Sequence, residues 1–229
     1  MAMNKRSKEN AKITPTEALE AAEAFAALKK FIPTKFDQAV EICMHLGVDV
    51  KHADQMVRGS VSLPKGIGKA KRVIAFCDTA HVAACKEAGA VEAGGADLMQ
   101  KVDGGWFDFD VAIASPDMMR VISKLGRVLG PKGLMPSPKN GTVTPKVADA
   151  VKEFAAGKVE YRADKGGNVH AVIGRMSFSE GDLMENYSHF IETIEKARPA
   201  AVKGEYVKRI TISGTMTPGV QIKTAVAAE

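Results

Sequence analysis

Five consecutive residues near the C-terminus, Thr215-Met216-Thr217-Pro218-Gly219, are built for close approach to a sugar–phosphate chain. Small residues let the backbone come near riboses, threonine hydroxyls both donate and accept, and Met216 offers a soft apolar contact. Bases and a ring that suit the same partner stand in both end segments: Lys35, Phe36, Arg58, Arg162, Lys165, His170, Arg175, Lys208 and Arg209. Mixed bases, hydroxyls and backbone donors fit a folded RNA, which is read by shape, phosphates and 2′-hydroxyls. Each residue also has a plainer reading. Phe36 at a strand start fits a core ring as well as a base-stacking one, His170 fits a hairpin, and 215–219 fits a tight turn.

A second basic stretch lies mid-chain, from Lys124 to Gly141. Lys124, Arg127, Lys132 and Lys139 occur there without an acid, among Gly126, Gly130, Gly133, Gly141, Pro131, Pro136 and Pro138. So many breakers predict a long exposed loop rather than a helix or central strand. Leu125, Val128, Leu129, Leu134 and Met135 give it apolar anchors, which disordered segments lack.

Catalytic signatures are missing. Gly66-Ile-Gly-Lys-Ala70 lacks the spacing and hydroxyl of a P-loop, Gly94-Gly95 reads as an ordinary turn rather than a dinucleotide site, and no GxGxxG follows Val73–Phe76. Asp103, Asp108 and Asp110 around Trp106 do not have calcium-loop spacing. The histidines form no HExxH, and there is no GxSxG elbow. No metal or cofactor is expected. An α/β segment in mid-chain still leaves room for a nucleotide pocket, so a nucleotide-binding enzyme stands as the alternative.

The 229 residues allow two modest domains or one large one. A net charge of +5 with a pI near 9.0 is consistent with a polyanion partner. No apolar run approaches the ~20 residues that span a bilayer, so no membrane is expected. Met1–Lys8 carries bases with no apolar run behind it, unlike a secretory signal. Cys43, Cys77 and Cys85 have apolar neighbours and read as reduced thiols of a cytoplasmic protein.

The elements that must position these residues follow two patterns. After a basic arm (Lys5, Arg6, Lys8, Lys12), Thr14-Pro15-Thr16-Glu17 reads as a capped helix start, the helix running to about Phe31. From Phe36 the period becomes two, with Val40, Ile42, Met44 and Leu46 on one face and Gln38 as an exception. Met56–Leu63 alternates again. From residue 73 the pattern is βα: Val73–Phe76 and Phe109–Ala114 read as buried parallel strands. Helices are expected over Thr79–Glu87 and Leu98–Val102, from a cap at Ser115-Pro116-Asp117 into the Lys124–Gly141 stretch, and over Pro145–Ala156. Alternation then returns at Val159–Arg162, with an Asp164–Gly167 hairpin turn, a strand Val169–Ile173, a helix Ser179–Ala197 and a strand Val207–Ile212.

The expected fold is therefore α/β with two domains. Residues 1–64 and 159–229 form a discontinuous α+β domain built from both termini. Residues 65–158 form an inserted three-layer, Rossmann-like α/β domain.

Several stretches go beyond pattern. Lys35-Phe-Asp37, Asp54-Gln-Met-Val-Arg-Gly-Ser-Val-Ser-Leu-Pro64, Phe107-Asp-Phe-Asp-Val111 running on to Ala114-Ser-Pro-Asp117, Leu125-Gly-Arg-Val-Leu-Gly-Pro-Lys-Gly-Leu-Met-Pro136, Lys139-Asn-Gly-Thr-Val143, Arg162-Ala-Asp-Lys165 and Thr215-Met216 resemble the bacterial large-subunit ribosomal proteins of the L-one family. These belong to the mobile stalk beside the tRNA exit site. The resemblance covers nearly the whole chain, and it implies the two-domain fold given above. It implies rRNA contacts at Lys35, Phe36, Asp164, Lys165, Thr215, Met216 and Thr217, to which the residues themselves add His170 and Gly219. Thr217 stands where the family usually has glycine, so its Cβ is expected to crowd either the RNA backbone or a positive-φ turn. The implied partners are large-subunit rRNA, exit-site tRNA, and the mRNA of its own operon, which it would repress. The implied location is the cytoplasmic ribosome.

Overall fold

The computed structural model describes residues 5–52 and 54–224. The first four residues of the stretch read as unlike a signal lie outside them. In chain order the elements are α1 (Lys5–Ile13), α2 (Ala21–Lys29), β1 (Ala39–Leu46), β2 (Arg58–Val61), β3 (Val73–Phe76), α3 (Val82–Glu87), β4 (Glu92–Gly94), α4 (Ala96–Asp103), β5 (Val111–Ala114), α5 (Met119–Ile122), α6 (Gly126–Leu129), α7 (Val147–Ala155), β6 (Val159–Arg162), β7 (Asn168–Arg175), α8 (Glu180–Lys196), β8 (Val207–Gly214) and β9 (Val220–Ile222). The class is mixed α/β. The chain divides into two compact units: Lys69–Lys158 is one, and the sequence on both sides of it forms the other.

The unit made from both end segments is built on an antiparallel sheet in the order β7-β1-β8-β9. Period-two alternation sends Val40, Ile42, Met44 and Leu46 inward with Val169, Ile173, Ile210 and Ile212. The amphipathic faces of α2 and α8 close that side, through Phe25 and Leu28 on one helix and Leu183, Tyr187, Phe190 and Ile194 on the other. Phe25 meets Tyr187 edge-on at 5.7 Å. Each such fully buried apolar side chain is worth about 1.5–3 kcal/mol. Helix α8 starts where Ser179 caps it, its hydroxyl accepting from the Asp182 amide at 3.1 Å. The opposite face of the sheet carries Glu41, Cys43, His45, His170, Arg209 and Thr211 in exposed or half-exposed positions. A two-stranded antiparallel ribbon, β2–β6, completes this unit.

The Lys69–Lys158 unit holds a parallel sheet in the order β4-β3-β5. Its central strand is buried at every position. Val73 and Ala75 face Cys85 of α3 and Val147, Val151 and Phe154 of α7. Ile74 and Phe76 face Leu98 and Val102 of α4, with Ile122, Leu125 and Leu129 beyond. Helices on both sheet faces give three layers.

Four expectations need correction. The first is the capped start at Thr14. Residues 5–13 are already helical, and the Thr14 hydroxyl donates back to the Asn10 carbonyl at 2.7 Å, closing α1 rather than opening a helix. Leu19 then bridges Ile222 before α2 begins at Ala21. The second is the Lys124–Gly141 loop, whose first part is helical. Glycine costs a helix only about 1 kcal/mol, and burial of Leu125 and Leu129 outweighs that. Third, Ser115 does not cap the helix that follows, which begins at Met119 without a side-chain cap. Fourth, Gly94 closes a short edge strand, β4, rather than an ordinary turn.

Candidate nucleic-acid interface

The turn after β8 is stitched to the start of β1. The Thr215 amide donates to the Ala39 carbonyl at 3.1 Å, and the Ala39 amide donates back to the Thr215 hydroxyl at 3.1 Å. The Met216 amide donates to Gln38 Oε1 at 2.8 Å. Within the turn, the Thr217 hydroxyl accepts from the Gly214 amide at 2.7 Å, and the Thr217 amide donates to the Gly214 carbonyl at 3.1 Å. No non-glycine residue among those described has positive φ. Thr217 therefore imposes no left-handed strain, and its hydroxyl closes its own turn. A Cβ at Gly219 would lie 2.8 Å from Thr211 Cγ2, so any larger residue there would require Thr211 to shift.

The Lys35–Gln38 loop is anchored from the other side. Asp37 accepts from both the Ser177 amide, at 3.1 Å, and the Ser177 hydroxyl, at 2.8 Å. Its carbonyl accepts from Arg175 at 2.9 Å. The Thr34 hydroxyl donates to the Phe36 carbonyl at 2.7 Å. Gln38 itself is only 2% exposed, and its carbonyl accepts from the Met176 amide. Around this fixed frame two large apolar side chains are left in solvent: Phe36 at 52% exposure and Met216 at 54%. Phe36 is thus not a core ring. Lys35 beside it is exposed and has no ion pair among the described residues. A rigid edge that displays a ring, a thioether, a cation and backbone groups can stack on a base while meeting phosphate and ribose.

Asp164, Lys165 and His170 belong to a different place. They sit on and beside the hairpin where β6 turns into β7, at the end of β7 that pairs with His45. The start of β1, where Ala39 pairs with Arg175, is six residues away, or ~20 Å at ~3.3 Å per residue. The predicted residues therefore form two groups rather than one. The Asp164 carboxylate is engaged within the hairpin: Oδ1 accepts from the Gly166 and Asn168 amides, each at 2.8 Å. Those bonds, the Asn168 amide first, hold its pKa below the usual carboxylate value. His170 Nε2 lies 3.7 Å from Asp164 Oδ2, and both Lys165 and His170 are exposed. Gly167, at φ +77, makes the tight turn possible.

Gln38, Asp37 and Ser177 do not stand out by residue type in the sequence. Gln38 had one signal: it is polar at an inward phase of an alternating strand. A buried amide in that phase implies a partner, and the partner is the Met216 turn. Asp108 and Asp110 both pair with Arg72, with Asp110 held below its usual pKa chiefly by the Arg72 amide, so these acids are tied into the Lys69–Lys158 unit. Among the described residues no group of three or more His, Cys, Asp or Glu side chains could hold a metal ion, and no helix is long and apolar enough to cross a membrane.

Sequence comparison adds to this geometry. The model of the ribosomal protein L1p/L10e family matches residues 28–218. Two curated proteins from Neisseria meningitidis, one of serogroup C and one of serogroup C, serotype 2a, are each 52% identical over 203 residues. Both are large ribosomal subunit proteins uL1, and the match spans 89% of this chain and 88% of theirs.

Proposed function

This chain belongs to the ribosomal protein L1p/L10e family, whose members are structural and not enzymes, and from that premise we propose that it grips large-subunit rRNA through the unit built from both end segments. The observation that carries the reading is the pair of exposed apolar side chains, Phe36 and Met216, held on a hydrogen-bonded edge beside Lys35. Two large apolar groups in water on an otherwise anchored edge are a contact surface awaiting its partner. Phe36 stacks on a base, Met216 fills the neighbouring apolar gap, and Lys35 meets phosphate. The backbone of the 215–219 turn approaches the riboses. Lys165 and His170 make the second, hairpin contact, and Asp164 shapes that hairpin rather than touching RNA.

As a constituent of the large subunit the protein would sit on the mobile stalk of the cytoplasmic ribosome. There it would help deacylated tRNA leave the exit site. The same edge would bind a like-folded segment in the mRNA of its own operon and repress its translation. Family membership supports this reading, and on it the Phe36–Met216 edge would serve both rRNA and mRNA.

The test is a titration of the protein against a large-subunit rRNA fragment at two salt concentrations. A log–log slope of about −0.7 to −0.9 per phosphate neutralised is expected, together with a salt-insensitive part. Replacing Phe36 and Met216 together by alanine should remove the salt-insensitive part and leave the slope. Equal binding by this variant and the unaltered protein would take the edge out of the interface.

A further inference from the structure

In the β2–β6 ribbon, Arg58 stands directly opposite Arg162 and Ser60 opposite Glu160. Val61, Val159 and Tyr161 point into the core. Alternation therefore puts Arg58, Ser60, Glu160 and Arg162 on the outer face together. Directly opposed residues have Cβ atoms about 4.5–5.5 Å apart, so the two arginine side chains start from adjacent positions on one face. Like charges in that position weaken strand pairing. Neither arginine has an ion pair among the described residues. Glu160 is the acid on the same face, one pair along and already partnered, which leaves that face net positive. Asp164, two residues beyond Arg162, is held by the Gly166 and Asn168 amides and does not neutralise the pair. A local rule broken without internal compensation points to an external one.

We propose that Arg58 and Arg162 form a two-guanidinium clamp for a single RNA phosphate. This rests on the rRNA-binding reading above and adds a contact apart from the Phe36–Met216 edge. A guanidinium offers parallel N–H groups that match two phosphate oxygens, and two guanidiniums on one ribbon surround one phosphodiester. The pair leads into the hairpin that carries exposed Lys165 and His170, so the clamp continues a basic surface that follows an RNA backbone. Together with the Phe36–Met216 edge it gives the protein two separate grips on one folded RNA. An acidic segment of a neighbouring protein would suit isolated arginines. It would not account for the adjoining lysine and histidine as well.

The experiment uses the full chain with Arg58→Gln and Arg162→Gln combined, titrated against the large-subunit rRNA fragment across a salt series. The free variant should melt at the same temperature or slightly higher, since a repulsion has been removed. Its affinity near ~0.15 M salt should fall roughly tenfold, and its log–log salt slope should become shallower by about 0.7–0.9, the value for one phosphate. Lysine at both positions should restore the slope but only part of the affinity, because an ammonium lacks the fork. If the double glutamine variant fails to fold, Arg162→Gln alone, at an exposed position, gives the same readout. Unchanged affinity and slope would overturn the clamp, as would weakened binding with an unchanged slope. Unchanged RNA binding with lost incorporation into the large subunit would assign the pair to an acidic protein neighbour instead. If the unaltered protein does not bind the fragment, the rRNA-binding reading itself falls, an outcome distinct from failure of the clamp.

Discussion

Gln38 Oε1 accepts the Met216 amide hydrogen at 2.8 Å across 178 residues of sequence. That bond fastens the turn after β8 to the strand that begins at Ala39, and it is made by a side chain only 2% exposed. The exposed ring of Phe36 and the exposed thioether of Met216 thus share one buried polar anchor. Their relative position is fixed before any partner arrives, which lowers the ordering cost of binding.

The first prediction concerns that anchor. Gln38→Leu keeps much of the volume but strands the Met216 amide, costing about 1–3 kcal/mol. Thermal unfolding should show the loss. The rRNA affinity should drop further than Phe36→Ala alone lowers it, because both apolar contacts lose their frame. A variant with normal affinity would show that the edge orders itself without Gln38.

A second prediction follows from the ribbon's inner face. Gly59 is the cross-strand partner of Tyr161, and a Cβ at Gly59 would lie 2.8 Å from the tyrosine oxygen and 3.0 Å from Cζ. The ring is buried and lies edge-on to Phe190 at 6.0 Å, so moving it disturbs the core. Gly59→Ala should therefore destabilise by about 1–3 kcal/mol, as overpacking does. Denaturant unfolding measures it. A midpoint equal to that of the unaltered protein would mean that the ring yields at no cost.

The sequence made the periodic parts of the fold legible. The inward set of β1, the continuous burial of β3 and the stripe of α8 were all readable from spacing, because burial on one face or on two leaves a pattern. It was less informative where tertiary packing overrides local preference. Gly126 and Gly130 argue against a helix locally, yet Leu125 and Leu129 gain enough by burial to form one. Thr14 has the residues of a helix start but serves as an end, because α1 precedes it. At the interface, residue types indicated which groups suit RNA, but not that Asp164 and Thr217 are occupied by their own turns. Those bonds depend on where neighbouring amides point, which no spacing reports.

The Asp164 bonds give a pH prediction. Its carboxylate accepts two backbone amides, and its pKa in the folded protein is lowered. A lowered carboxylate pKa contributes stability that is present above the unfolded value of about 3.9 and is lost as pH falls through the folded value. The hairpin should therefore loosen only below about pH 4, seen as faster amide exchange at Gly166 and Asn168. Asp164→Asn should abolish that pH dependence and weaken rRNA binding by disordering Lys165 and His170. Exchange rates that ignore pH in this range would remove the carboxylate from its structural role.

A last prediction separates the two units. Val61 pairs with Val159 at the end of the β2–β6 ribbon, so the chain leaves and re-enters the sheet-bearing unit at adjacent strands. Replacing residues 65–158 by a linker of a few residues spans that short gap without stretching β2 or β6. Every residue of the Gln38–Met216 edge, the Asp164 hairpin and the β2–β6 ribbon lies outside the removed segment. The apolar cluster under α2 and α8 likewise draws every buried member except Ile67 from the retained sequence. The shortened protein should fold cooperatively and bind the rRNA fragment within about threefold of the full chain, a difference of under 1 kcal/mol, with the same salt slope. If it folds but binds more than about a hundredfold more weakly, near 3 kcal/mol, the principal contacts lie in the Lys69–Lys158 unit, and its Lys124–Gly141 segment becomes the first place to look.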